Sequence, residues 1–86
     1  MNIILHKNFG KKFIKLSSKI QESFRKRRDL FLENPLYPLL GNHPLAGDRK
    51  GQWSINVTGD WRAIYVFKNE DTIVFIDIDT HSNLYK

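Results

Sequence analysis

Between Gly51 and Lys86 the chain changes to strand patterns that follow one another with room for turns and nothing longer. The runs are Gln52 to Val57, Trp61 to Lys68 and Thr72 to Ile78, separated by Thr58-Gly59-Asp60 and by Asn69-Glu70. Strands joined this closely favour an antiparallel meander. In the third run Ile73, Phe75 and Asp77 alternate with Val74, Ile76 and Ile78. Strict alternation makes the second set a solidly apolar face, to be covered by helices, and leaves the first set mixed.

The half that must supply those helices opens with a short apolar run, Asn2 to His6, which reads as a first strand. From Asn8, a candidate N-cap, Phe9, Phe13 and Leu16 recur at helical spacing, with Lys11, Lys12 and Lys15 on the other side. Ser18 with Gln21 three residues on, and Glu22 beside it, resembles a capping box for a second helix whose stripe is Ile20, Phe24, Arg27 and Phe31. That helix ends near Asn34, because Pro35 lacks a backbone donor and disfavours helical geometry before it. Leu36 to Lys50 holds Pro38, Pro44, Gly41 and Gly47 without a clear period, and reads as a connection packed down by Leu36, Leu39, Leu40 and Leu45. The expected architecture is α+β: an N-terminal strand, a helical hairpin, then a three-stranded antiparallel meander packed on the helices. Eighty-six residues hold one such core and not two, so residues 1–86 are expected to form a single domain.

An apolar fraction of 41% is too high for a disordered chain, and the absence of cysteine excludes disulfides, thiolate metal sites and cysteine nucleophiles. This fits a cytoplasmic protein. No apolar run approaches the length of a signal-peptide core or a membrane span, so no membrane partner is expected. Residues 1–50 carry eleven Lys/Arg against four acids, whereas residues 51–86 carry three against five. The positive field therefore belongs to the N-terminal half, and a field of this kind attracts polyanions, nucleic acid foremost.

Four short runs carry a resemblance. His43-Pro44-Leu45-Ala46-Gly47, Gly51-Gln52-Trp53-Ser54-Ile55, Gly59-Asp60-Trp61-Arg62-Ala63-Ile64-Tyr65 and Thr80-His81-Ser82-Asn83-Leu84-Tyr85 stand in the order and spacing of the RelE/ParE toxin superfamily. The chain is most similar to its YafQ-like and RelE/StbE-like mRNA interferases. The resemblance implies the toxin of a type II toxin–antitoxin pair, which cuts messenger RNA in the ribosomal A site and is silenced by a cognate antitoxin protein; the alternatives on the same fold are a non-enzymatic ParE-like gyrase poison and a catalytically weakened antitoxin-binding module. It implies chemistry without metal or cofactor: the ribose 2′-OH attacks the adjacent phosphate, leaving a 2′,3′-cyclic phosphate and a 5′-OH.

Such a reaction needs a base for the 2′-OH proton, a cation for the charge at phosphorus and an acid for the leaving 5′-oxygen. His81 matches the family's C-terminal histidine and is the expected acid, a role suited to a side chain that titrates near neutrality. Asp60 and His43 both match family positions for the base, and the choice between them stays open. Asp60 could instead serve the turn by hydrogen bonding, as Asp after Gly commonly does. Arg62, at the start of a strand, offers a planar donor fork to the scissile phosphate, or a salt bridge to Asp60 or Asp77. Tyr85 and Trp61 are expected to stack on bases or join the core, with Asn56, Arg49 and Lys50 as further substrate contacts. Asn56 stands where YafQ-like enzymes have a second histidine, and cannot shuttle protons near neutral pH. Asp77 stands where they have an arginine. The cluster Lys11, Lys12, Lys15, Lys19, Arg25, Lys26, Arg27 and Arg28 fits docking on ribosomal RNA through phosphate contacts.

Overall fold

The computed structural model describes residues 1–85; Lys86, at the end of the expected sheet segment and of the expected domain, lies outside the described residues. Strand β1 (Asn2–Leu5) leads into helices α1 (Lys7–Phe13) and α2 (Ser18–Glu33). Two 3-10 turns, Pro38–Leu40 and Gly47–Arg49, flank the short strand β2 (His43–Pro44). Strands β3 (Trp53–Asn56), β4 (Trp61–Asn69) and β5 (Thr72–Thr80) follow, and the one-turn helix α3 (His81–Leu84) ends the series. No helix among the described residues is long and apolar enough to cross a membrane.

The meander forms as the sequence indicates, β3 antiparallel to β4 and β4 antiparallel to β5. The sheet then extends at both ends, with β1 parallel to β5 and β2 antiparallel to β3, in the order β1-β5-β4-β3-β2. The segment expected to be only a connection thus supplies an edge strand. Two residues are too few to show a period, and Pro44 is tolerated because an edge position leaves its missing donor harmless. Leu40 of this segment is buried and Leu45 half-buried, but Leu36 and Leu39 are 79% and 51% exposed, contrary to expectation. A single 3-10 turn points only part of its three-residue circumference inward, and Leu40 takes that place.

The helix caps also differ from those expected. His6, not Asn8, caps α1, its Nδ1 accepting from the Asn8 amide at 3.0 Å. Ser17, not Ser18, caps α2, its Oγ accepting from Ile20 at 3.3 Å. Gln21 does not close a capping box. Its Nε2 donates to the carbonyls of Phe13 and Leu16 at 3.0 and 3.2 Å, tying the start of α2 to the end of α1 and the turn after it.

Helix–sheet packing is aromatic. Phe9, Phe24 and Phe31 from the helices meet Phe75 and Tyr65 from the sheet, with Phe9–Phe24 and Phe24–Phe75 centroids 5.1 Å apart and Phe31–Tyr65 5.2 Å apart. Leu40, Ile55, Val57, Ala63, Ile73 and Ile78 complete this cluster. Its β5 members are Ile73, Phe75 and Ile78, which strict alternation cannot place on one face. Tyr65 pairs with Phe75 and Ile64 with Asp77, so Ile76 is an extra residue opposite the Ile64–Tyr65 step. This bulge turns the strand over. The helices therefore cover Ile73, Phe75 and Ile78, while Val74 and Ile76, expected on the apolar face, are only half-buried.

The two readings of β5 differ in what truncation costs. Phe75→Ala should lower the unfolding free energy in urea by about 3–5 kcal/mol, and Ile76→Ala by roughly 1 kcal/mol. Equal losses would restore strict alternation.

Candidate active site

The four-residue helix α3 is too short to be stable by itself, so its placement depends on its tethers. Thr80 Oγ1 caps it by accepting from the Asn83 amide at 3.3 Å. Asp79 Oδ1 accepts from the Thr80 amide at 2.8 Å and from Asn83 Nδ2 at 2.9 Å. The His81 amide donates to the Asp60 carbonyl at 2.8 Å, and Leu84 is buried. These bonds set the exposed His81 ring beside the β3–β4 turn, against Tyr85, with centroids 4.6 Å apart and planes tilted by 50°.

Asp60 lies in that turn, yet its carboxylate makes none of the turn's hydrogen bonds. The amides of Asp60 and Trp61 donate to Thr58 Oγ1 at 3.2 and 3.1 Å, so Thr58 does the structural work. Arg62 donates from one nitrogen to the carbonyls of Thr58 at 3.0 Å, Gly59 at 3.3 Å and Trp61 at 3.0 Å. Among the described residues it forms no salt bridge to Asp60 or Asp77. Trp61 packs against the core with one side only and is half-buried.

Leu84 and Tyr85 line, with Leu45, Ala46, Asp48 and Arg49, an open recess of about 360 Å³. Arg49 and Tyr85, singled out separately in the sequence, thus line one recess, Tyr85 is also in ring contact with His81, and Arg49 is steadied by a 2.9 Å bond to Gln52 Oε1. Lys50 follows as the exposed C-cap of the Gly47–Arg49 turn. His43 is exposed on β2, just ahead of Leu45 and Ala46 of the recess, with Nδ1 2.8 Å from the Gly41 carbonyl. Strands β3 and β4 separate it from β5, roughly 14 Å at the usual strand spacing.

Asn56 is the cross-strand partner of Arg62 and packs close to Gly41, where an added Cβ would stand 2.6 Å from Asn56 Nδ2. Gly41 also has φ of 52°, so both sterics and backbone require glycine. The Asn56 carbonyl accepts from Arg27 at 2.9 Å, and the Leu39 carbonyl from the same nitrogen at 3.2 Å. Burial first, and the charge of Arg62 second, lower the pKa of the Arg27 guanidinium. Two arginines therefore bracket one turn, held by carbonyl oxygens and by no carboxylate among the described residues.

Asp77, the strand carboxylate that departs from the family pattern, has a partner. Lys12 Nζ lies 2.7 Å from Asp77 Oδ1 and 3.0 Å from Asp79 Oδ2, which removes Lys12 from the freely exposed basic cluster. Burial works against the Lys12 charge, but hydrogen bonds and the two carboxylates outweigh it and raise its pKa. Burial likewise pushes the Asp79 carboxyl up, while bonds from Asn83, Lys12 and the Thr80 amide outweigh it and hold the group below its ordinary 3.8. Sequence reading missed Asp79, Asn83, Thr58 and Lys12 as site supports. A polar residue three before Asn83, Thr80, was the available sign of a helix cap. Among the described residues no group of three or more His, Asp or Glu is arranged to hold a metal ion.

A mixed five-stranded sheet with a helical pair on one face, and a histidine on a terminal helical turn, defines a small α+β protein. YafQ from E. coli strain BL21(DE3) shares this fold at a TM-score of 0.78 and 26% identity, over 99% of this chain and 98% of that one. A chain of the E. coli DinJ–YafQ complex aligns at 0.75 and 26%, over 99% and 98%. Endoribonuclease HigB from Proteus vulgaris is 42% identical over 50 residues, 58% of this chain and 51% of HigB, so the chain spans about half the length of this relative. The family described as "Bacterial toxin of type II toxin-antitoxin system, YafQ" matches residues 1–86, and the chain belongs to it.

A carboxyl whose folded pKa is depressed stabilises the fold above its unfolded value, and that contribution is lost as pH falls through the folded pKa. Asp79→Asn should therefore be less stable than the parent in urea at neutral pH, with the gap closing as pH drops below 3.8. A gap that persists in strong acid would show that the charge is not the source.

Proposed function

We propose that this chain is the toxin of a type II pair and acts as an endoribonuclease on messenger RNA in the ribosomal A site, working in the cytoplasm as one domain over residues 1–86. The observation that carries the reading is the convergence at α3: His81 and Tyr85 in ring contact, the Asp60 turn bonded to the His81 amide, and Arg49 sharing a recess with Tyr85. The name of the HigB relative supports the activity, and the DinJ–YafQ complex supports a cognate antitoxin as partner.

In this reading the base takes the 2′-OH proton as the oxygen bonds to phosphorus, the P–O5′ bond breaks, and His81 protonates the departing 5′-oxygen. The products are a 2′,3′-cyclic phosphate and a 5′-OH. Asp60 is the better-placed base, because its backbone touches His81 and its carboxylate is free of the turn. His43, on the far edge strand, fits a contact further along the RNA. Arg62 has one nitrogen occupied by carbonyls and turns its remaining donors to the phosphate, with Arg27 adding charge behind it. Arg49 and Tyr85 hold an adjoining nucleotide, with Lys50, Trp61 and Asn56 at the margins. The exposed cations of α1 and α2 dock on ribosomal RNA. The occupied nitrogen of Arg62 favours one second reading, a catalytically weak module that binds its antitoxin.

Induced expression followed by primer extension on total mRNA separates these readings. Translation-dependent cuts support the nuclease. His81→Ala and Arg62→Ala should each reduce cleavage about 10²–10⁴-fold, and cutting that survives both changes would end the catalytic assignment.

A further inference from the structure

Helix α1 is remote from His81 in sequence, yet one of its side chains ends on the carboxylate that anchors α3. Lys12 Nζ reaches Asp79 Oδ2 at 3.0 Å while Asp79 Oδ1 holds the Thr80 amide and Asn83 Nδ2. We propose that Lys12 is a positioning residue for His81, acting through Asp79, in a chain where Asp77 serves as the second counter-charge for the same ammonium. The proposal rests on reading His81 as the general acid.

The physics of the strand end makes the lysine necessary. Pairing of β1 with β5 stops at Leu5 and Phe75, so residues 76–80 present an open edge that only Lys12 bridges among the described ion pairs. Asp77 and Asp79 are two residues apart on one strand and point the same way, so without a cation between them their charges repel. One relief is rotation of Asp77, which gives up its bond from the Ile78 amide, and another is rotation of the Asp79 side chain. That rotation would withdraw Oδ1 from Thr80 and Asn83, two of the few tethers of a helix with a single turn. With Oδ2 clamped by Lys12, the carboxylate plane is set and Oδ1 faces α3. The buried Leu84 and the Asp60 carbonyl then fix the remaining freedom, and His81 is held against Tyr85. The strand carboxylate that breaks the family pattern is thereby explained: it is half of the socket for a cation delivered from α1.

Two measurements test this on the intact chain. The ring protons of His81 sense the Tyr85 ring, and their NMR shifts, compared with those in Tyr85→Phe and Tyr85→Ala, report ring position without any need for activity. Lys12→Gln should move the His81 signals toward those of Tyr85→Ala, and Lys12→Arg should restore them. With a short mRNA on ribosomes, Lys12→Gln should lower kcat at least about tenfold while KM changes less than about twofold, as expected when a reacting group is misplaced but binding is kept. Lys68→Gln, an exposed site on β4, removes the same charge and should alter neither reading. If Lys12→Gln does not fold, Asp79→Asn takes its place and must displace the ring in the same direction. Unchanged His81 shifts, or a loss confined to KM, overturn the proposal. Should His81→Ala leave cleavage intact, the general-acid reading falls, while the NMR arm still decides whether Lys12 positions the ring.

Discussion

One extra residue in β5 governs both halves of this molecule. Ile73 and Phe75 point into the phenylalanine cluster, and unbroken alternation would send Asp77 and Asp79 after them. Two carboxylates among aromatic rings would lose their hydration without gaining partners, at a cost of several kcal/mol each or by protonation. The bulge at Ile76 avoids this by turning the strand over, so that Ile78 completes the core and the two aspartates face Lys12. Every later feature follows from that reversal: Asp79 meets α3, α3 carries His81, and His81 meets Asp60 and Tyr85.

The charge layout has a second logic. Acidic residues at the site are paired or exposed, whereas Arg27 and Arg62 are held by backbone carbonyls. Carbonyl oxygens orient a guanidinium without neutralising it, so in the proposed function both cations would keep their charge for an incoming phosphate. Burial first and the neighbouring arginine second lower the pKa of Arg27. A carboxylate in the same place would have relieved the repulsion and weakened the attraction for phosphate. In the proposed function a positive field spread over the N-terminal half and two oriented arginines at the turn would act over different distances, the first in encounter and the second in contact.

Much of the fold was legible because its signals are local. The three meander strands, both long helices and the stop at Pro35 are each set by spacing within a dozen residues. What escaped was short or depended on another segment. Strand β2 has two residues and α3 has four, below the length at which periodicity can speak. The capping shifts at His6 and Ser17 turned on which of two neighbouring polar side chains reached the amide. Leu36 and Leu39 looked like packing residues by type alone, yet Leu36, ahead of the 3-10 turn, and Leu39, within it, are both exposed. At the site, Asp60, Arg62, His81 and Tyr85 were recognisable in their motifs, but the Thr58 hydroxyl that frees Asp60 was not.

By itself the sequence determined the order of elements, the α+β class, the basic half and the motif residues, since each is written in neighbours along the chain. Only the tertiary structure decided which face of β5 is inside, that β1 and β2 close the two ends of the sheet, and that Lys12 ends beside Asp79. A bulge arises from the sum of packing on one face and desolvation on the other, a balance that alternation along one strand cannot express. For the same reason the ion pair of Lys12 and Asp79, 67 residues apart, exists only once helix and sheet have been brought together.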